Sequence, residues 1–238
     1  MAQLPRAFRV IGPGRAGGAF EQALMAAGWS ALPALRRGDS VRDAASDVEL
    51  VVIATPDRSI AAVAASIAPV GHVAVMHLSG ACGLDVLAPH LRRAALHPLM
   101  TLADAERGAV VLRGAWFAVA GDPVADDIVA ALGGRSFTVA DEHRALYHAA
   151  ASVASNHVVA LLAQVERLAS AAGVPYEAFF DLVRASVDNC ASIGPMLALT
   201  GPASRGDDAT LDRHRAVLAD RERPAYEAMV DEIKRLVS

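Results

Sequence analysis

The chain has 238 residues, 54 % of them hydrophobic, with 22 Lys+Arg against 26 Asp+Glu and a net charge of −4. That composition describes a folded soluble domain, not a disordered one, and without a basic surplus to neutralise phosphates no nucleic-acid partner is expected. Only one cation is a lysine, Lys234, so any Schiff-base, acid/base or phosphate-binding lysine would have to be that residue; no lysine follows a glycine, which excludes a Gly-Lys-Ser/Thr phosphate loop.

In chain order, Phe8–Ile11 reads as a strand running into Gly12-Pro-Gly14-Arg15-Ala16-Gly17-Gly18, with a helix from about Gly17 to Ala27 and Gly28 as its C-terminal stop. Ser30–Leu35 is a weaker strand containing Pro33. Leu50–Ala54 is a continuous apolar run closed by Thr55-Pro56-Asp57, followed by a helix over Ser59–Ile67, and His72–Leu78 is another run closed by Ser79-Gly80. Trp116–Ala120 and Ser136–Val139 complete the strands. Continuous apolar strands separated by helices indicate a mostly parallel sheet covered on both faces. After Asp141 the pattern is helical only: a long helix over Leu146–Ala172, then two or three more, interrupted by Gly194-Pro195 and by the loop from Thr200 to Asp207. The fold class is α/β, a Rossmann-type domain over residues 1–141 followed by an all-helical domain over 142–238.

Cys82 and Cys190 are far apart without metal-ligand spacing, so no metal and a reducing cytoplasm are expected. The glycine loop begins by Gly12, which leaves no room for a signal peptide before it. The longest apolar run, Ala149–Ala163, is broken by Ser152, Ser155, Asn156 and His157, so no membrane span is expected.

Gly12-x-Gly14-x-x-Gly17 between a strand and a helix is the dinucleotide fingerprint. Gly12 permits the tight turn, Gly14 the approach of backbone to pyrophosphate, and Gly17 the packing of helix on strand. Gly12, Gly14, Arg15, Ala16 and Gly17 would hold the pyrophosphate at the helix N-terminus. The second strand ends in Arg36-Arg37, a guanidinium pair suited to a 2′-phosphate, which favours NADP; Asp39 keeps NAD as the alternative, and two ordinary surface arginines are the bland reading. Thr55, Pro56 and Ser79 follow strands and should flank the nicotinamide half, although Ser79 and Asp57 are also ordinary helix-capping residues.

The fingerprint, Ala-Thr55-Pro56-Asp57, His77-Leu-Ser79-Gly80, Leu96-His97-Pro98-Leu99, Tyr147-His148-Ala-Ala and Leu199-Thr-Gly201-Pro202-x-x-Arg205-Gly206-Asp207 occur in this order. Together they resemble a family of short Rossmann proteins carrying a helical C-terminal domain of unknown function. That family is similar in architecture to pyrroline-5-carboxylate reductases and 6-phosphogluconate-type dehydrogenases. The resemblance implies an NADP-dependent oxidoreductase acting on a small molecule, with the helical domain closing the substrate site and forming a homodimer. The 3-hydroxyacid dehydrogenase relatives use Lys-x-x-x-Asn on the first long helix of the second domain. Asn156 fits the asparagine, but position 152 is serine and Lys234 lies on another helix, so that mechanism does not carry over.

On the long helix His148, Ser152 and Asn156 are spaced i, i+4, i+8 and should form one polar stripe. His148 is its only member that titrates near neutral pH and is the first acid/base candidate; polar groups satisfied within helix packing are the alternative. His97 competes for the same role, or is a plain loop histidine. Asn156 and Ser79 would position substrate, with Ser152 beside them. Arg205 would grip an anionic group, or pair with Asp207 or Asp208 while one of these caps the next helix. His214, Asp188, Asn189 and Cys190 read as structural. A non-catalytic redox sensor that binds the dinucleotide is the rival function, and a nucleotide-free scaffold the third.

Overall fold

The computed structural model describes residues 6–238. They form two compact units, one reaching to Ser155 and the other spanning Asn156–Ser238. The first unit therefore extends beyond the 141/142 division drawn from the end of the strand pattern.

In the first unit the elements are β1 (Ala7–Ile11), α1 (Arg15–Ala26), β2 (Ser30–Leu35), β3 (Leu50–Ile53), α2 (Asp57–Ser66), β4 (Ala74–His77), β5 (Arg92–Pro98), α3 (Ala105–Val111), β6 (Trp116–Gly121), α4 (Val124–Ala131), β7 (Arg135–Thr138) and α5 (Arg144–Ser152). One seven-stranded sheet has the order β2-β1-β3-β4-β5-β6-β7. Every neighbouring pair is parallel except β5 and β6. β3 and β4 are buried along their whole length, which is why they read as unbroken apolar runs. Successive side chains point to opposite faces. Leu50 and Val52 pack with Phe20 and Leu24 of α1, while Val51 and Ile53 pack with Ile60 and Ala64 of α2. Burial of each of these large side chains contributes about 1.5–3 kcal/mol. α1 and α3 approach closely through small residues: a Cβ on Gly108 would lie 2.6 Å from the Ala19 Cβ.

The sequence did not show β5. Its stretch Arg-Arg-Ala-Ala-Leu-His-Pro has no β-branched residue, and alanine favours helix. Pairing with β4 and β6 decides the conformation, and Ala94, Ala95 and Leu96 are fully buried there. His97 is thus a strand residue, not the loop histidine considered above. From β1 the chain crosses first to β2 on one side and then to β3 on the other. The loops after β1 and β3 therefore diverge at the carboxyl edge of the sheet, the position at which such folds bind ligands.

The long helix expected over Leu146–Ala172 begins earlier, at Arg144, and contains a π turn at Val153–His157 before α6 (Val158–Ala172). A π turn bonds i to i+5 and adds a residue. Four-residue spacing across it therefore no longer keeps Asn156 in line with His148 and Ser152, and Asn156 opens the second unit. The helical stretch Asp141–Ala172 is long and apolar enough to cross a membrane by length and composition alone.

The second unit continues with α7 (Phe180–Ile193), α8 (Pro195–Ala198), α9 (Asp208–Val217) and α10 (Arg223–Val237). Ala203, Leu211 and Val230 form its small core, with Tyr226 and Ile233 against them. Buried Glu222 takes a two-pronged contact from Arg167 at 2.7 and 2.9 Å, and Gln164 donates to its carbonyl. The single lysine, Lys234, pairs at 3.2 Å with the exposed Asp208. Leu182, Val187, Ile193, Met196 and Leu197 are each more than half exposed.

Candidate functional site

The loop between β1 and α1 is built for a ligand's backbone-like group, not for side chains. Gly12 has φ +87°, in the left-handed region that favours glycine, and a Cβ on Gly17 would lie 2.2 Å from the Gly12 carbonyl oxygen and 2.9 Å from the Ala54 Cβ. Gly14 precedes α1 with nothing within 4 Å of where its Cβ would be. The first-turn N–H groups of Arg15, Ala16 and Gly17 that follow have no acceptor within the helix and attract an anion.

A cavity of about 890 Å³ extends from this loop, lined among others by Gly12, Gly14, Arg36, Arg37, Thr55 and Pro56. Arg36 and Arg37 are exposed. Asp39 also lines it, but its carboxylate accepts the Arg36 backbone N–H at 2.7 Å and so closes the turn. Arg58, on the first turn of α2, adds a third guanidinium that sequence reading did not assign. The Thr55 hydroxyl is buried without a partner. The crevice has the features a dinucleotide would need: a glycine cradle that could take a pyrophosphate, guanidiniums that could take a 2′-phosphate, and a buried hydroxyl without a partner.

A second cluster stands at the carboxyl ends of β4 and β5. His97, on β5, accepts or donates at Nδ1 to the Tyr147 hydroxyl at 2.7 Å. Its ring stands edge-on to Tyr147 at 5.6 Å and to His148 at 5.7 Å. Tyr147 in turn packs edge-on against Phe137 of β7. Gly80 is the floor between the histidines: a Cβ there would lie 2.8 Å from His148 Nδ1 and 2.9 Å from His97 Cε1. His148 Nδ1 is buried and has no partner. Beneath them His77 is fully buried; its Nδ1 accepts the Ser79 N–H and its Nε2 donates to the Gly83 carbonyl, each at 3.2 Å.

The electrostatics fix the protons. Burial, reinforced by the positive potential of His148, pushes His97 down to about 4, so its ring is neutral at pH 7. Burial raises Tyr147 above the ordinary phenol value, against an opposing pull from Arg144. A phenol that keeps its proton can donate it to Nδ1, the arrangement that leaves the imidazole proton on Nε2. Burial also lowers His77, which stays neutral. Both histidines bind protons less readily folded than unfolded. The unfolded chain takes up protons below the ordinary value of 6.5, and the native state does so at His97 only near 4. Stability is therefore fully present above about pH 6.5 and is lost as pH falls from there towards 4. In urea titrations at a series of pH values, H97N is expected to flatten that decline, His97 alone accounting for on the order of 3 kcal/mol.

Other expected site residues fare differently. The Ser79 hydroxyl donates to Asp57 Oδ2 at 2.8 Å and accepts the Ala81 and Cys82 N–H groups at 3.1 Å. It shapes the turn above His77 and has no free proton to give a substrate. Ser152 is half-buried on α5, one turn beyond His148. Asn156 and Arg205 belong to the second unit. Arg205 is exposed and forms no ion pair among the described residues; Asp207 caps α9 by accepting from Thr210. His214 is bonded to Tyr226 at 2.7 Å, a structural pairing. Sequence reading missed Arg144, whose charge acts on His77, His97 and Tyr147. An arginine at a helix start, three residues from an aspartate, carries no sequence sign of burial.

Residues 31–102 match a Rossmann-like domain, and residues 116–233 match a domain of unknown function (DUF2520). The chain joins a Rossmann-like domain to a DUF2520 domain. No curated protein matches it. Among solved structures, this Rossmann–DUF2520 chain is similar to a candidate NADP oxidoreductase from Bacteroides fragilis, at 19 % identity, TM-score 0.79 and 98 % coverage of both chains. It is also similar to a reductive aminase from Aspergillus terreus in complex with NADPH4, cyclohexanone and allyl amine (13 % identity, TM-score 0.72, 97 % and 94 % coverage). A third is pyrroline carboxylate reductase from Plasmodium falciparum with NADP bound (11 % identity, TM-score 0.63, all of both chains).

Proposed function

We propose that the protein is an NADP-preferring oxidoreductase that transfers hydride to or from a small, polar, anionic substrate. The observation that carries this reading is where unsatisfied groups collect. Five buried side-chain polar atoms lack a partner among the described residues, and four of them belong to Thr55, Arg144 and His148, at the carboxyl edge of the sheet. Buried polar atoms are almost always bonded, so such a concentration marks a place where a ligand completes the bonding. NADP- and NADPH-bound reductases among the structural neighbours support the same reading.

A bound nicotinamide dinucleotide would supply or accept the hydride. Gly12, Gly14 and Gly17 would hold its pyrophosphate, Arg36, Arg37 and Arg58 its 2′-phosphate, and Thr55 a polar group further along the crevice. His97 would give its Nε2 proton to the substrate oxygen or nitrogen. As it does so, Nδ1 takes the Tyr147 proton, and the positive charge of Arg144 favours the phenolate that forms. His148, with its inward Nδ1 free, would orient the substrate or serve as a second proton carrier. The exposed apolar side chains on α7 and α8 support a homodimer formed through the helical unit, and the two free cysteines support a cytoplasmic location.

The test is ligand-dependent stability and turnover. NADPH should raise Tm, and it should be oxidised with at least one member of an imine, 2-oxo acid and aldehyde panel. Binding without any turnover would favour the redox sensor; no shift with NADPH or NADH would overturn both. Replacing Arg36 and Arg37 together by alanine is expected to weaken NADPH binding about 10- to 100-fold, because two charge-assisted contacts are lost. The NADH affinity should stay level, and paired titrations read the difference.

A further inference from the structure

We infer that the Arg144 guanidinium is a carboxylate receptor beside the His97–Tyr147–His148 cluster, and that the ligand-free protein carries it as a buried charge met only at Nε. This rests on reading that cluster as the substrate pocket.

The Arg144 side chain is 2 % exposed, and only its Nε is bonded, to Asp141 Oδ1 at 2.8 Å. Nη1 and Nη2 are both buried with no partner. An ionised group removed from water is costly unless its donors are met. The one ion pair gives little in return, because the Asp141 side chain is 62 % exposed and water screens it. The placement is adverse a second time: Arg144 is the first residue of α5, where the partial positive charge of the helix N-terminus opposes a cation. For stability alone, an apolar side chain of the same length would serve better. An arginine kept under these conditions has a use for its two free nitrogens.

The chemistry of the ligand follows from what those nitrogens lack. Nη1 and Nη2 present parallel donors that match the two oxygens of a carboxylate. The neighbouring groups acted on by this charge, His77, His97 and Tyr147, are neutral at pH 7. These three add no cation, and the preference for a carboxylate rests on the match of two parallel donors to two coplanar oxygens. Asp57 and Asp141, the carboxylates whose charge acts on the same histidines, belong to the turn above His77 and to the Nε contact. His97, Tyr147 and His148 are only half-buried, so this cluster is not sealed from solvent. A substrate carboxylate held by Arg144 would bring the adjoining carbonyl or imine group to His97.

The experiment uses the full chain with oxamate and inorganic phosphate as probes, Tm as the readout, and NADPH as a parallel ligand. In the wild type, millimolar oxamate is expected to raise Tm saturably, and phosphate to do so far less. R144M should lose the oxamate response, with Kd at least about tenfold weaker, and its ligand-free Tm should rise by about 3 °C because the buried charge is gone. The NADPH shift should survive in R144M. A lower Tm in folded R144M, an undiminished oxamate response, a phosphate response as strong as that of oxamate, or no wild-type response to oxamate would overturn the proposal. If R144M does not fold, R144K decides: unchanged Tm with weaker oxamate binding supports the receptor, and unchanged binding overturns it. Failure of NADPH to stabilise the wild type would instead count against the oxidoreductase reading, whatever Arg144 does.

Discussion

H97N is expected to lower kcat about 10²- to 10⁴-fold while the NADPH Kd stays within about twofold. The loss follows from what the strand position gives this imidazole. Burial holds it neutral, the 2.7 Å contact gives Nδ1 a partner in the Tyr147 hydroxyl, and the replacement supplies no transferable proton. Y147F should be milder, about tenfold, since the imidazole remains but its tautomer is no longer set and the second proton is missing. A kcat loss in H148Q larger than that in H97N would assign the step to His148 instead. Equal losses in H97N and in NADPH binding would mean a damaged fold.

The second large effect concerns the two glycines to which the fingerprint gives different roles, Gly14 and Gly17. G17V is expected to abolish NADPH-dependent stabilisation and to lower the ligand-free Tm, because any side chain there meets the Gly12 carbonyl at 2.2 Å and the Ala54 Cβ at 2.9 Å. G14A should leave the ligand-free Tm unchanged, since nothing stands within 4 Å of its Cβ. Yet it should weaken NADPH about 10- to 100-fold, because that space is where backbone must approach the pyrophosphate. At a ligand concentration of 100 Kd, wild-type stabilisation amounts to about 2.7 kcal/mol, ample for a melting experiment to separate the two variants. If G14A bound NADPH as well as the wild type, the dinucleotide would not lie on this loop.

The parts legible in the sequence were those set by local chemistry. β-Branched runs became β3 and its neighbours, the glycine spacing became the β1–α1 turn, and Gly28, with φ +89°, ends the first helix region. What escaped depends on partners distant in the chain. β5 is a strand because β4 and β6 flank it, against its own alanine content. The His148–Ser152–Asn156 stripe assumed an unbroken helix, and the π turn at Val153–His157 breaks it. Ser79 was expected near substrate, but Asp57, 22 residues earlier, takes its proton. Arg144 was invisible because charge and burial rarely coincide, and only the folded structure shows two of its nitrogens without a partner.

Lys234 offers a practical consequence. Its ammonium sits on α10 against an exposed aspartate and is itself 45 % accessible, a pairing too weakly held to block acylation. Amine-directed reagents therefore have one lysine to modify in the whole chain, on the helical unit, besides the N-terminal amine. A fluorophore attached there would mark each molecule at a known residue and leave the histidines and arginines of the site chemically intact.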